Sequence, residues 1–136
     1  MFTEHQRHNL TWFYPKICRF QDDPRSLDGV LQQSLSADTD TLLYIHIPFC
    51  DSLCAYCGCF KEPLGAFDAD ELSDFVTGLL REMALIREMH GGEPVKVRYV
   101  QFGGGTPSTL PVPLLSRIFE GLSTYWDMSE CEGISF

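Results

Sequence analysis

Apolar strand patterns alternate with helical patterns along residues 42–136, and this alternation constrains the fold more than any other feature of the sequence. Leu42–Ile47 is a nearly continuous apolar run, as in strands buried within a parallel sheet. Val95–Phe102 is rich in β-branched residues and predicts a second strand. Gly133–Phe136 begins a third. Because a helical stretch separates each strand from the next, the sequence predicts an α/β fold with a parallel sheet and right-handed crossovers.

Both helical stretches carry an apolar stripe on one face. Between the first two strands, the i, i+3, i+4 spacing predicts an amphipathic helix that contains Leu72, Phe75, Val76, Leu79, Leu80, Met83 and Ile86. Asp68 and Glu71 have the spacing of a capping box at its start, and Gly91 and Gly92 end it. The second stretch predicts a helix with the stripe Leu114, Leu115, Ile118, Phe119 and Leu122.

Length and charge restrict the class of protein. A chain of 136 residues has room for one domain, which we place at residues 41–136, and residues 1–40 are predicted to be an N-terminal extension that wraps onto it. The net charge of −9 argues against nucleic acid and anionic membranes as partners, because both require a basic surface. The N-terminus lacks the apolar core of a signal peptide, and no apolar run approaches the ~20 residues that span a bilayer. We therefore expect a soluble, cytoplasmic protein.

Four of the six cysteines lie within ten residues, directly after the first strand. Without a secretory signal, such clustering indicates metal binding, and thiolates prefer iron–sulfur clusters, zinc or Cu(I) to hard ions. Cys50, Cys54 and Cys57 form a C-x3-C-x2-C motif. Three thiolates on a four-iron cluster leave one iron open to a small molecule. The alternative is a structural zinc site with Cys59 as the fourth ligand.

A glycine-rich loop follows the second strand in the same way. Gly103, Gly104, Gly105 and Thr106 lie between that strand and the second helix. Glycines let a ligand approach the main chain closely, but for the three glycines taken alone a tight strand-to-helix turn is the better explanation. Sites in parallel α/β folds gather at the carboxyl ends of the strands, and both motifs are predicted to lie there.

Three segments together resemble the radical S-adenosylmethionine (SAM) superfamily, and more narrowly its HemN/HemW-like branch, named after the oxygen-independent coproporphyrinogen III oxidase. The segments are Tyr44–Cys50, Cys54–Cys59 and Phe102–Ser108. The family fold is a partial (βα)6 barrel. The resemblance therefore implies that this chain holds the first βα units of that barrel, is truncated in the third strand, and comes from a longer protein.

The resemblance also implies a [4Fe–4S] cluster as the first cofactor and SAM as the second. Cys50, Cys54 and Cys57 would bind three irons, and the remaining iron would take the amino and carboxylate groups of SAM. Tyr44 would lie near that SAM. Cys59 matches the HemN pattern, in which the fourth cysteine is not a ligand but lies beside the SAM site; the alternative is a small buried thiol.

The same resemblance gives the glycine loop a role in binding SAM. Gly103 belongs to the segment that holds the methionine end of SAM, and Gly104 would contact the cluster-bound molecule. Gly105, Thr106 and Tyr56 would approach a second SAM, as in HemN.

The chemistry implied is reductive cleavage of SAM to a 5′-deoxyadenosyl radical that abstracts hydrogen from the substrate. We expect a tetrapyrrole substrate and an electron donor such as flavodoxin or ferredoxin. The leading reaction is oxidative decarboxylation of coproporphyrinogen III, which Cys59 favours and Phe60 opposes, because HemN proteins carry Asn at the position of Phe60.

Three other functions remain open from the sequence. The first is a related radical SAM enzyme, either a methyltransferase or one that opens heme anaerobically. The second is a HemW-like heme-binding chaperone without turnover, and the third is an inactive metal-binding chain. The next acidic SAM contact in HemN aligns just past Phe136, so we expect this chain alone to be inactive.

Overall fold

The computed structural model describes Gly29 and residues 41–136, so the predicted extension over residues 1–40 otherwise lies outside the described residues. The elements in chain order are β1 (Leu42–Ile47), β2 (Phe49–Cys50), β3 (Glu62–Pro63), α1 (Ala69–Met89), β4 (Val95–Lys96), β5 (Tyr99–Gly104), α2 (Val112–Tyr125), β6 (Trp126–Asp127) and β7 (Gly133–Ser135). Strands β1, β5 and β7 form a parallel sheet in the order β1-β5-β7. The predicted α/β fold with a parallel sheet is thus confirmed.

The second predicted strand is interrupted. Val95–Phe102 was expected to be one strand, but β4 ends at Lys96 and β5 begins at Tyr99. The segment changes partners between them, because Val97 N–H donates to Asp127 O at 3.0 Å whereas Arg98 N–H donates to Thr41 O at 2.8 Å. Strand β4 accordingly pairs with β6 and β5 with β1. The expectation of a single strand is therefore wrong, because the first part of the segment pairs with β6 and the second part pairs with β1.

Helix α1 begins and ends as predicted. The Asp68 carboxylate accepts hydrogen bonds from the main-chain N–H groups of Asp70 and Glu71, each at 2.9 Å. The Glu71 carboxylate in turn accepts from Asp68 N–H at 2.9 Å. This is a complete capping box, which satisfies main-chain donors that a helix start leaves unpaired. At the other end, Gly91 and Gly92 have φ values of +75° and +87°, a conformation that glycine adopts without steric cost.

The two helices cover one face of the sheet. The apolar stripes of α1 and α2 pack against the inward side chains of β1 and β5, and the core formed there includes Ile45, Ile47, Val76, Val100, Phe102, Ile118 and Leu122. On the opposite face, Tyr44 is 49% and Tyr99 44% exposed. Within the described residues that face has no covering layer, so side chains on it face open space. Neither described helix is both long and apolar enough to cross a membrane.

Candidate functional site

The cysteine loop and the glycine loop meet at one edge of the sheet. Strands β1 and β5 run parallel in a register that places Ile47 opposite Gly104, so their carboxyl ends lie side by side. Two main-chain hydrogen bonds then join the loops, from Gly105 N–H to Ile47 O at 2.7 Å and from Thr106 N–H to Phe49 O at 2.8 Å. The topology therefore brings together two motifs that are about fifty residues apart in the sequence.

All three glycines of the loop are in contacts too close for a side chain. A Cβ on Gly103 would lie 2.7 Å from the Tyr44 ring, and one on Gly105 would lie 2.5 Å from Phe49 O. Gly104 has a φ of +103°, and a Cβ there would lie 2.7 Å from Ile47 O. These contacts explain the glycines by packing between the two loops. The glycines also add no side chain of their own at this edge, as a ligand that binds main-chain groups requires.

The four clustered cysteines differ in exposure. Cys50 is buried, Cys57 is half-buried, and Cys54 and Cys59 are exposed, all of them as free thiols. A turn closes the middle of the motif, because Cys57 N–H donates to Cys54 O at 3.2 Å. Thr106 Oγ1 lies 3.6 Å from Cys50 Sγ.

The thiols are suited to a cluster in their chemical type. In residues 41–136, no three ligating side chains converge closely enough to enclose a single metal ion. A four-iron cluster requires less convergence of its ligands. Each of the three thiolates binds a different iron, so the three sulfurs do not have to surround one metal ion. With the side-chain-free glycine loop beside Cys50, the residues present fit a [4Fe–4S] cluster and a ligand bound beside it.

Cys57 and Cys59 influence each other's ionisation. The pKa of Cys57 is lowered, chiefly because the Cys59 main-chain N–H donates to its sulfur, with smaller contributions from the Cys59 thiol and from Lys61. The pKa of Cys59 is raised because its thiol donates to Cys57 and because negative charge on Cys57 repels a second thiolate. Lys61 Nζ is held beside the pair by a 2.6 Å hydrogen bond to Cys57 O.

We predict that Cys57 is alkylated at lower pH than Cys59 in the metal-free protein. As the pH rises, Cys57 loses its proton first, and Cys59 stays protonated as its donor. Thiolates are the reactive form, so iodoacetamide labelling followed by peptide mass spectrometry across the pH range reports both transitions. Lys61→Gln should move the Cys57 transition to higher pH, and Lys96→Gln, outside the loop, should not. Labelling of Cys59 before Cys57 would contradict the assignment.

Tyr44 takes part in a hydrogen-bonded chain that the sequence did not indicate. Its hydroxyl lies 3.2 Å from His46 Nδ1, and His46 Nε2 lies 3.2 Å from Phe60 O. A carbonyl only accepts, so Nε2 carries the proton and Nδ1 accepts from the tyrosine. The imidazole thereby joins the open face of β1 to the end of the cysteine loop. Strand periodicity places Tyr44 and His46 on one face, but no sequence signal relates His46 to Phe60.

The predicted site residues are not all equally close to this edge. Tyr44 contacts Gly103, and Cys50 contacts Thr106, so these four residues lie together. Tyr56 is 92% exposed and extends into solvent, with no contact to the glycine loop. Its role beside a second SAM stays a prediction.

The comparisons with known proteins agree with this geometry. No family model matches the chain. The oxygen-independent coproporphyrinogen III oxidase of Pseudomonas aeruginosa is 31% identical over 117 residues, which are 85% of this chain and 25% of that protein. The heme chaperone HemW of Synechocystis is 38% identical over 89 residues, or 62% of this chain and 20% of that protein.

A solved structure extends the match to the fold. The coproporphyrinogen III oxidase HemN of Escherichia coli, described as a radical SAM enzyme, superposes with a TM-score of 0.71 and 26% identity over 94% of this chain and 30% of its own. The chain thus spans between a fifth and a third of the length of each of these three proteins. By sequence and by fold, it is a homologue of the oxygen-independent coproporphyrinogen III oxidases and HemW, the HemN/HemW-like branch of the radical SAM proteins.

Proposed function

We propose that this chain is the cluster-binding part of a radical SAM enzyme that acts on a tetrapyrrole, with HemN-like oxidative decarboxylation of coproporphyrinogen III as the reaction. The observation that carries the proposal is the junction of the two loops, where the residues that lead into a C-x3-C-x2-C motif after β1 are hydrogen-bonded to the glycine segment at the end of β5. Three cysteines next to a glycine segment without side chains fit a four-iron cluster in which one iron has no protein ligand and can bind a small molecule.

In this proposal the cysteines, the glycine loop and Tyr44 at this edge of the sheet have separate roles. Cys50, Cys54 and Cys57 hold three irons of the [4Fe–4S] cluster, which when bound supplies the electron that cleaves SAM. The glycine loop offers main-chain groups to SAM without a side chain in the way. Tyr44 lies on the open face of the sheet beside it, and its contact with His46 fixes its hydroxyl.

The expected partners follow from the same proposal. A tetrapyrrole would reach the site across the open face of the sheet, and a flavodoxin or ferredoxin would deliver the electron. The chain has 19 acidic and 10 basic residues, which argues against nucleic acid and anionic membranes as partners, and a cytoplasmic location remains part of the proposal. Residues 41–136 would be the first part of the radical SAM core, preceded by an extension.

A heme chaperone of the HemW kind is the second candidate. It is supported by the 38% identity to HemW over 89 residues. A chaperone of this type would use the site for binding without turnover. A radical SAM methyltransferase would share the cluster and SAM and differ in substrate.

The test separates these candidates in one experiment. Because the chain spans a quarter of its Pseudomonas relative, we would use the longest reading frame that contains it, with the 136-residue chain in parallel. After anaerobic reconstitution with iron and sulfide, reductant and SAM are added and 5′-deoxyadenosine is measured, with and without coproporphyrinogen III. Product that rises with this substrate supports the oxidase. A cluster without SAM cleavage, together with tight heme binding, would favour the chaperone.

A further inference from the structure

The side chain of Thr106, the last residue of the glycine loop, contacts a cysteine of the motif. Its hydroxyl lies 3.6 Å from Cys50 Sγ, a normal hydrogen-bonding distance for the larger sulfur atom. The two residues are 56 positions apart in the sequence. The contact therefore exists only because β1 and β5 are neighbours in the sheet.

The main chain on both sides of Thr106 is fixed. Its N–H donates to Phe49 O at 2.8 Å, and the preceding amide, of Gly105, donates to Ile47 O at 2.7 Å. Its carbonyl accepts from Thr109 Oγ1 at 2.8 Å. Phe49 directly precedes Cys50. The hydroxyl and the sulfur are thus attached to two strand ends that are already bonded to each other, so their contact requires little further ordering.

A hydrogen bond to a ligand sulfur acts on the cluster's reduction potential. One-electron reduction adds negative charge to the cluster and its thiolates, and no proton moves. A donor aimed at one of these sulfurs stabilises the reduced form more than the oxidised form, which raises the potential. Cys50 is the buried cysteine of the motif, and burial reduces screening of such a contact.

We propose that the Thr106 hydroxyl donates a hydrogen bond to the Cys50 thiolate and thereby raises the reduction potential of the cluster. The proposal rests on the proposed function, because it requires the cluster. It makes Thr106 a positioning residue that acts through Cys50, a role different from the contact with a second SAM that the family resemblance implied.

The test is a potentiometric titration of the reconstituted full chain without SAM, with dithionite as the one-electron reductant and electron paramagnetic resonance as the readout. Thr106→Val removes the hydroxyl and keeps the side-chain shape. We expect a more negative potential, equivalent to a roughly threefold to tenfold lower ratio of reduced to oxidised cluster at a fixed potential. Thr106→Ser keeps the donor and should titrate like the wild type.

Thr124→Val is the matched control. It removes an exposed threonine hydroxyl that donates to the main-chain carbonyl of Glu120 within α2, outside the junction of the two loops. We expect it to leave the potential unchanged. An unshifted potential in Thr106→Val at full iron and sulfide content would overturn the proposal, as would an equal shift in Thr106→Ser or Thr124→Val. Failure of the wild-type chain to form any cluster would overturn the proposed function as well, and iron and sulfide analysis distinguishes the two failures.

Discussion

Replacing Cys54 with alanine should abolish assembly of the [4Fe–4S] cluster and, with it, cleavage of SAM. Removal of one of three ligands leaves an iron without a protein donor, and we expect iron affinity to fall by more than the roughly 100-fold that is lost when a group hydrogen-bonded to a ligand is removed. The measurements are iron and sulfide per chain after anaerobic reconstitution, the visible absorption of the cluster, and 5′-deoxyadenosine formation.

Cys54 is the best of the three positions for this test because its side chain is exposed. Cys50 is buried, so its loss would also remove packing and a hydrogen bond from Thr106. The turn at Cys54 is closed through its main-chain carbonyl, which alanine retains. The Cys54→Ala chain should therefore have the same urea unfolding midpoint as the wild-type chain before metal is added.

Two control variants separate a cluster from a zinc site. Cys131→Ala changes a cysteine outside the loop and should retain full iron content. Cys59→Ala should retain the cluster if Cys59 is not a ligand, and should lose metal if Cys59 completes a four-thiolate zinc site. Wild-type iron content in Cys54→Ala, or zinc in place of iron in the reconstituted wild type, would contradict the cluster assignment.

The parts of the fold that were predictable from the sequence depend on local patterns. The stripe of α1, the capping box at Asp68 and Glu71, and the glycines after Met89 each involve residues within a few positions of one another. The parallel order of β1 and β5 followed because a helix separates the strands. Local periodicity does not indicate where a strand changes partners, so the break between β4 and β5 at Arg98 was missed.

The motifs that form the candidate site were predictable from the sequence, but the contacts between them were not. The spacing of Cys50, Cys54 and Cys57 indicates a metal site, and the position of the glycines after a strand indicates which edge they occupy. The contacts of Thr106 with Cys50 and of His46 with Phe60 depend on how loops fold back over the sheet. Such contacts join residues 56 and 14 positions apart, and a single sequence carries no periodic signal for them.

Gly105→Ala should destabilise the metal-free chain through a clash between the new side chain and main-chain atoms of the other loop. The new Cβ would lie 2.5 Å from Phe49 O and 2.7 Å from Pro48 O, and both atoms belong to the main chain, which cannot rotate away as a side chain can. The strand ends must then separate, which weakens the hydrogen bonds from Gly105 to Ile47 and from Thr106 to Phe49. We expect a loss of about 1–3 kcal/mol in the free energy of unfolding, measured by urea denaturation of the metal-free chain.

Gly65→Ala is the control, because a Cβ at Gly65 meets no atom within 4 Å and the residue has no positive φ. It should leave stability unchanged or raise it by up to about 1 kcal/mol, since alanine restricts the unfolded chain more than glycine does. Equal stability of Gly105→Ala and Gly65→Ala would show that the two loops are not in close contact in solution. Because the Thr106–Cys50 contact depends on the same junction, the Gly105→Ala chain should also bind less iron than Gly65→Ala. A stable Gly105→Ala chain with full cluster content would remove the structural basis for linking the glycine loop to the cysteines.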